Sequence, residues 1–260
     1  MLRNPPQLVL RNLMNSPKNR SVIVERIPNA GFRTDDTRSL PEDSIVLYIL
    51  DLRSMEVAES KWRELLSSDE RERAARFHFE RDRQHYCAAR ALLRTLLGAY
   101  LEAAPQELSF QYSDKGKPGL ASRYRGCGVA FNVSHSGDFA LLGFTRRSDI
   151  GVDIEQIRDD FDTAAIARRF FSAREQDQLS RLPADQQHHA FFRCWTRKEA
   201  FIKALGEGLS HPLSQFDVSL DTSAQVSLTT RPEPEEAERW WLQSVDAGPD
   251  YAAAFAVSAL

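Results

Sequence analysis

One coarse pattern of elements occurs twice along this chain, and that constrains its fold more than any other feature. In the first half, residues 45–50 form a strand-length apolar run. A charged helical stretch follows at 56–66, then the helix-start signal Ser67-Ser68-Asp69-Glu70. From Tyr86 onward, Ala89, Leu93, Leu96, Leu97 and Tyr100 recur at helical spacing, with Arg90 and Arg94 on another face. Residues 129–133 and 139–145 read as two strands joined by Ser134-His135-Ser136-Gly137-Asp138. In the second half, 149–155 reads as a strand, and 164–171, 173–181 and 189–205 read as helices. The tail alternates like a strand at Val218, Leu220, Val226 and Leu228, with further strands expected at 240–242 and 252–257. No residue-level repeat links the halves. The fold class expected is α+β. Residues 1–43, punctuated by Pro5, Pro6, Pro17, Pro28 and Pro41, read as an irregular extension. Residues 44–148 and 149–260 read as an N-terminal and a C-terminal half.

Two segments concentrate charge where apolar residues are also required. In Ile150-Gly151-Val152-Asp153-Ile154-Glu155, alternate strand positions face opposite ways. Ile150, Val152 and Ile154 then face a core, and Asp153 and Glu155 share the other side. Neighbouring carboxylates repel, and a hard cation with oxygen ligands removes that repulsion. An amphipathic strand with an acidic wet face fits the same pattern. In Trp195-Thr196-Arg197-Lys198-Glu199-Ala200-Phe201-Ile202-Lys203, the side chains of Trp195, Lys198, Glu199, Ile202 and Lys203 fall within an arc of about 140° of a helix. A Glu199–Lys203 surface pair would not normally sit beside Trp195 and Ile202; half-buried charge of this kind tends to mark sites.

Weaker signals accompany them. Ser134, His135 and a turn with free backbone N–H groups suit a phosphate, or form a hairpin turn that satisfies itself. A serine-hydrolase elbow is excluded, because Asn132 and Ser136 stand where glycines are needed around Ser134. Lys115-Gly116-Lys117-Pro118 is a basic turn that could cradle a nucleotide. The arginines 71, 73, 76, 81 and 83, interleaved with acids, read as a solvated face. Net charge is −3, from 34 basic and 37 acidic residues, so no global basic field exists for a nucleic-acid role. The three scattered cysteines fit neither a zinc site nor a disulfide framework, which favours a reducing compartment and the cytoplasm. No apolar stretch is long enough to cross a bilayer.

In this order, the segments resemble the 4′-phosphopantetheinyl transferases of the Sfp-type (monomeric, pseudo-duplicated) class, over about residues 45–216. The likeness rests on Gly151-Val152-Asp153-Ile154-Glu155, on Trp195-Thr196-Arg197-Lys198-Glu199-Ala200 followed by Lys203, on Asn132-Val133-Ser134-His135-Ser136-Gly137, and on Gly116-Lys117-Pro118. Gly208, Leu209 and Pro212 sit where the family continues. The resemblance implies two similar α+β halves, each a small sheet packed on a long helix, related by a pseudo-two-fold axis. It implies transfer of phosphopantetheine from coenzyme A to a serine of an apo acyl or peptidyl carrier protein, with Mg²⁺, by a monomer. Asp153, Glu155 and Glu199 would then hold the metal, and Glu199 would act as general base. Lys203 would neutralise the pyrophosphate, and Lys198 would contact phosphate. Ser134 and His135 fall on phosphate contacts, Arg73 on the 3′-phosphate, and Lys117 with Pro118 on the adenine end. Glu70 stands where some relatives carry a lysine for the 3′-phosphate. A non-catalytic module binding coenzyme A or a carrier is the alternative, and it would be expected to lose one of the three carboxylates.

Overall fold

The computed structural model describes residues 10–12, 20–27, 39–53, 59–124, 126–208 and 211–259. Residues 56–58 of the expected first helix and Leu209 lie outside them. Strand β3 (Ser44–Asp51) is almost wholly buried, as its unbroken run Ile45-Val46-Leu47-Tyr48-Ile49-Leu50 requires of a strand covered on both faces. Helices α1 (Glu59–Leu65), α2 (Ser68–Ala75) and α3 (Glu80–Leu101) follow. Next come the small hairpin β4 (Phe110–Tyr112) with β5 (Pro118–Leu120), then the hairpin β6 (Val129–Ser136) with β7 (Phe139–Arg146). The second half repeats this order. Strand β8 (Ile150–Gln156) leads to α4 (Thr163–Phe170), α5 (Ala173–Arg181) and α6 (Ala184–Leu205). The short pair β9 (Phe216–Val218) with β10 (Leu228–Thr230) precedes β11 (Trp240–Ser244) and β12 (Tyr251–Ser258).

Strand pairing repeats as well. β3 pairs antiparallel with β7 and β7 with β6; β8 pairs antiparallel with β12 and β12 with β11. In each half the long helix covers one face of its sheet. Leu92, Leu93, Leu96 and Leu97 of α3 pack on Val46, Tyr48 and Leu50, while Ala200, Phe201 and Ala204 of α6 pack with Leu242, Ala252 and Ala254. The other faces pack together, with Ile45, Leu47 and Ile49 of one sheet against Ile150, Val152, Ile154 and Phe255 of the other. The α+β architecture of two similar halves is therefore as expected.

The lead-in is not irregular throughout. Strand β1 (Leu10–Asn12) pairs antiparallel with β2 (Ser21–Ile27), which pairs parallel with β3, making the first sheet five-stranded in the order β1-β2-β3-β7-β6. Arg20 anchors this addition, because its buried guanidinium donates to Ser148 Oγ at 2.9 Å and to Thr145 Oγ1.

Helix α6 can approach β8 only because Gly151 carries no side chain. A Cβ there would lie 2.1 Å from Ala200 O and 2.3 Å from Ala204 N. The contact brings the last two turns of α6 against the strand carrying Asp153 and Glu155.

A candidate active site between β6, β8 and α6

Strands β6 and β8 are the facing edges of the two sheets, and side chains rather than backbone join them. Asn132 Oδ1 accepts from Val152 N–H at 2.9 Å, and Ser136 Oγ accepts from Gln156 N–H at 3.1 Å. Ser134 donates to Asp153 Oδ1 at 2.8 Å, and Ser136 donates to Glu155 Oε2 at 2.7 Å. Asn132, Ser134 and Ser136 thus form one face of β6. Lys203, reaching across from α6, donates to Asp153 Oδ1 at 2.5 Å and to Ser134 Oγ at 3.0 Å.

Asp153 is 2 % exposed, and its second oxygen, Oδ2, is buried with no hydrogen-bond partner among the described residues. Such an atom costs desolvation free energy for nothing unless something else meets it. Burial raises the Asp153 carboxyl above its ordinary value, against the pull of Lys203 and Ser134. Glu155 is raised by burial and then by the nearby Asp153 charge. Glu199 is raised to about 7, by burial first, then by Asp153, with a further push from Glu155. Burial works against the charge on Lys203, but Asp153, Glu199 and Glu155 outweigh it and its pKa ends above the ordinary lysine value. The four groups therefore share one field. As they stand, no three His, Cys, Asp or Glu side chains among the described residues gather in a metal-ligand arrangement. The donor set is nevertheless all oxygen, over-negative and short of one partner at Oδ2, which fits a hard divalent cation.

The remaining expected residues divide. His135 is exposed on β6, yet its ring sits among protein and cations. Dehydration, Lys203 and His85 lower its pKa, and Arg73 adds to that push. Arg73 lies on the exposed side of α2, with its guanidinium 5.5 Å from the Tyr86 ring centroid. Lys117 is turned inward. It donates to Ala204 O at the end of α6 at 3.0 Å, and burial lowers its pKa. Lys117 and Pro118 line a cavity of about 500 Å³ with Phe131, Ile150, Ala204 and Gly206. A larger cavity of about 640 Å³, lined by Arg174, Arg181 and Arg193, shares no residue with the site.

Lys198 faces away from the carboxylates. It is fully buried, with Nζ 2.7 and 2.8 Å from the Glu175 carboxylate oxygens and 2.6 Å from Phe216 O. A phosphate cannot reach it, so its expected phosphate contact is replaced by a structural ion pair. Glu70 is likewise turned inward. It is 1 % exposed and accepts from Arg90 Nε at 2.8 Å and Arg94 Nε at 2.5 Å. Strand β6 also runs through Ser136, so the expected turn shrinks to Gly137 and Asp138. Gly137 sits at φ +54°, and a Cβ on it would strike Gln156 Oε1 and Tyr251 Oη.

Asn132 and Ser136 are participants to which the sequence motifs assign no role, although the period-two spacing of 132, 134 and 136 defines one strand face. His85, buried near the start of α3, is likewise unmarked in the sequence. The backbone at Gly137 hydrogen-bonds to it, and burial and Arg81 lower its pKa.

Two family patterns cover most of the chain. One described as the 4′-phosphopantetheinyl transferase superfamily matches residues 149–256, and one described as 4′-phosphopantetheinyl transferase, N-terminal, matches residues 56–145. The 4′-phosphopantetheinyl transferase HetI of Nostoc sp. is 38% identical over 194 residues, covering 75% of this chain and 81% of its own. A 4′-phosphopantetheinyl transferase of Bacillus subtilis is 33% identical over 186 residues, covering 72% and 79%. The transferase Sfp of Bacillus subtilis is 30% identical over the same share of each chain. With paired sheets, a carboxylate–lysine cluster at their junction and relatives of this closeness over most of its length, the chain belongs to the 4′-phosphopantetheinyl transferase family.

Proposed function

We propose that the protein transfers the 4′-phosphopantetheine arm of coenzyme A to a serine of an apo acyl or peptidyl carrier protein at the cluster of Asp153, Glu155, Glu199 and Lys203. The serine Oγ forms a bond to the phosphorus that carries pantetheine, and the bridging P–O bond of the pyrophosphate breaks. Adenosine 3′,5′-bisphosphate leaves. Glu199 is the group suited to take the serine proton. A carboxyl poised at about 7 is a competent base near neutrality and is partly ionised there. Asp153, Glu155 and Glu199 would hold Mg²⁺, which supplies charge withdrawal and orientation of the diphosphate when bound. Lys203 offers its ammonium to the same diphosphate, and His135, with Arg73 beyond it, offers donors for phosphate oxygens, whereas the one Ser134 proton goes to Asp153 Oδ1 and that hydroxyl holds the carboxylate in place. Lys117 and Pro118 frame a cavity of a size to seat the adenine end. Positioning and charge neutralisation then supply most of the rate.

The unpartnered, buried Oδ2 of Asp153 beside two further carboxylates carries this reading. A wet acidic face would have no such atom. Strand β6 belongs to one half and β8 with α6 to the other, so a single chain holds the whole cluster, and a monomer is the working unit. The three cysteines are free thiols, in keeping with a cytoplasmic setting, and no helix among the described residues is long and apolar enough to cross a membrane.

The test is a mass shift of an apo-carrier incubated with coenzyme A and Mg²⁺. Asp153→Ala is expected to lose transfer by about 10³-fold while keeping a cooperative melt. Near-normal transfer by that variant removes the metal role, and no mass shift with the unaltered protein across a panel of carriers removes the activity.

A further inference from the structure

The free protein keeps a cation on its carboxylates. Lys203 Nζ lies 2.5 Å from Asp153 Oδ1, and its other contact, Ser134 Oγ at 3.0 Å, itself donates to that oxygen at 2.8 Å. The ammonium is therefore seated on the ligand rather than held in reserve beside it. Asp153 Oδ2 is buried and has no hydrogen-bond partner among the described residues, so a divalent ion meeting it would lie only a few ångströms from a fixed positive charge. Two cations at that separation in a poorly hydrated site repel strongly. A diphosphate changes the balance, because it brings negative charge that the ammonium and the metal can share.

We propose that Lys203 is the resident counter-ion of the carboxylate cluster, and that it makes the divalent ion and coenzyme A bind together rather than one before the other. The inference rests on the metal reading given above. In the free protein Lys203 holds Asp153 in place and weakens metal binding by repulsion. When the diphosphate arrives, the ammonium gains a second anionic partner and its repulsion of the metal is offset. By linkage, whatever factor coenzyme A contributes to metal affinity, the metal contributes to coenzyme A affinity. Neutralising Lys203 should tighten metal binding to the free protein and shrink that factor. A lysine serving the diphosphate alone would leave metal binding to the free protein unchanged.

The experiment is titration of the purified full chain with Mn²⁺, following free Mn²⁺ by electron paramagnetic resonance, with and without coenzyme A. Lys203→Gln keeps a donor for Asp153 and Ser134 but removes the charge. It is expected to bind Mn²⁺ at least about ten-fold more tightly than the unaltered protein without coenzyme A. Its strengthening by coenzyme A is expected to fall. Lys203→Arg, which keeps the charge, should stay within about two-fold of the unaltered protein. Mn²⁺ should also raise the melting temperature of Lys203→Gln by more than it raises that of the unaltered chain, a reading that needs only a folded variant. Equal or weaker Mn²⁺ binding by Lys203→Gln, with the unaltered protein still binding Mn²⁺ alongside coenzyme A, overturns the counter-ion role and leaves the metal site standing. Tight binding that survives Asp153→Asn in the Lys203→Gln background places the ion elsewhere and overturns both.

Discussion

The two halves of this protein share one plan and differ in what they put at its centre. Strands β3 and β8 hold the same place, since residue 45 faces residue 145 on β7 and residue 150 faces residue 257 on β12. Counting along them sets Tyr48 against Asp153 and Leu50 against Glu155. Helices α3 and α6 are both 22 residues long, and both end on a left-handed residue, Glu102 or Gly206. Counting from their starts sets Thr95 against Glu199 and Ala99 against Lys203. The same strand–helix contact is therefore dry in one half and ionic in the other. Tyr48 and Tyr100 share a hydrogen bond of 2.8 Å where the second half holds its carboxylates. Even the flanking strands follow suit. Ser134 and Ser136 reach the carboxylates, while their counterparts after β11, Val245 and Ala247, are buried in the core between the sheets. One scaffold suffices for both uses because its rigidity comes from elsewhere.

That rigidity has a shared source, a buried carboxylate in a helix-capping turn. Glu70 accepts from Ser67 N–H at 3.1 Å, and Glu175 accepts from Ser172 N–H at 2.9 Å. Each then receives a cation from the long helix at the same helical position, Arg94 or Lys198. The halves part company over reserves. Glu70 has Arg90 as well, whereas Lys198 is the single cation contacting Glu175 among the described residues. Removing one partner of a buried pair leaves the other uncompensated, at a cost of about 3–5 kcal/mol. Lys198→Met is expected to lose that much stability in urea unfolding, and Arg90→Met distinctly less, because Arg94 still holds Glu70. Equal losses would mean that the arginine pair acts as one unit and the halves are fastened alike.

Close packing separates the halves next. Val46 occupies on β3 the place that Gly151 occupies on β8, so α6 lies nearer its strand than α3 does. Gly151→Ala puts a methyl into the backbone of Ala200 and Ala204. Forced repacking of this kind costs about 1–3 kcal/mol. Since the same movement displaces Glu199 and Lys203 from Asp153, transfer should fall more than stability does. A variant that melts lower but transfers normally would show that the cluster tolerates a wider gap.

How much of this is legible in the sequence follows from the range of the interactions. The alternation of Ile150, Val152 and Ile154 against Asp153 and Glu155 is local, and the strand displays it unchanged. Lys198 defeats the same approach. It shares a helical stripe with Glu199, but α6 is wedged between its own sheet and α5, and periodicity cannot tell which edge of the stripe meets which neighbour. Glu70 reads as one more acid in an alternating run, because only the folded arrangement places Arg90 and Arg94 over it. Ser136 is masked by the adjacent Gly137 and Asp138, whose turn chemistry extends the expected turn backwards into the strand. β2 is missed for a related reason. Its parallel pairing with β3 spans about twenty residues of chain that local signals present as loose.

Chemistry and stability pull against each other in the second half alone. Glu199 is held at about 7, above the ordinary glutamate value, so the folded protein binds a proton there that the unfolded chain releases. The stability linked to this proton is present below the unfolded pKa and disappears as pH rises through about 7. Glu199→Gln should therefore be more stable than the unaltered protein at pH 8, with the advantage fading towards pH 5. Allowing for partial exposure and screening, the gain at pH 8 is about 1–2 kcal/mol. Melting curves across this range measure it. Thr95, at the matching place in α3, carries no ionisable group, so Thr95→Val should show no such slope. A slope of the same size in both variants would put its origin outside the cluster.

The smallest expected effect tests the dry half directly. Tyr48 lies under the ring of Phe144, edge-on at 5.9 Å, and its hydroxyl meets that of Tyr100. Tyr48→Phe keeps the ring and its packing but leaves the Tyr100 hydroxyl short of one partner, a loss of about 1 kcal/mol. Transfer should be unchanged within experimental scatter, because the hydrogen bonds and ion pairs of Asp153 and Glu155 among the described residues go to Ser134, Ser136 and Lys203, outside the first half's strand–helix contact. That expectation is sharper than its size suggests. Tyr48 and Asp153 are the same position of the same plan, and if only one of them governs the rate, the division of labour is complete. A clear fall in transfer by Tyr48→Phe would mean that the first half still tunes the second through the core between the sheets.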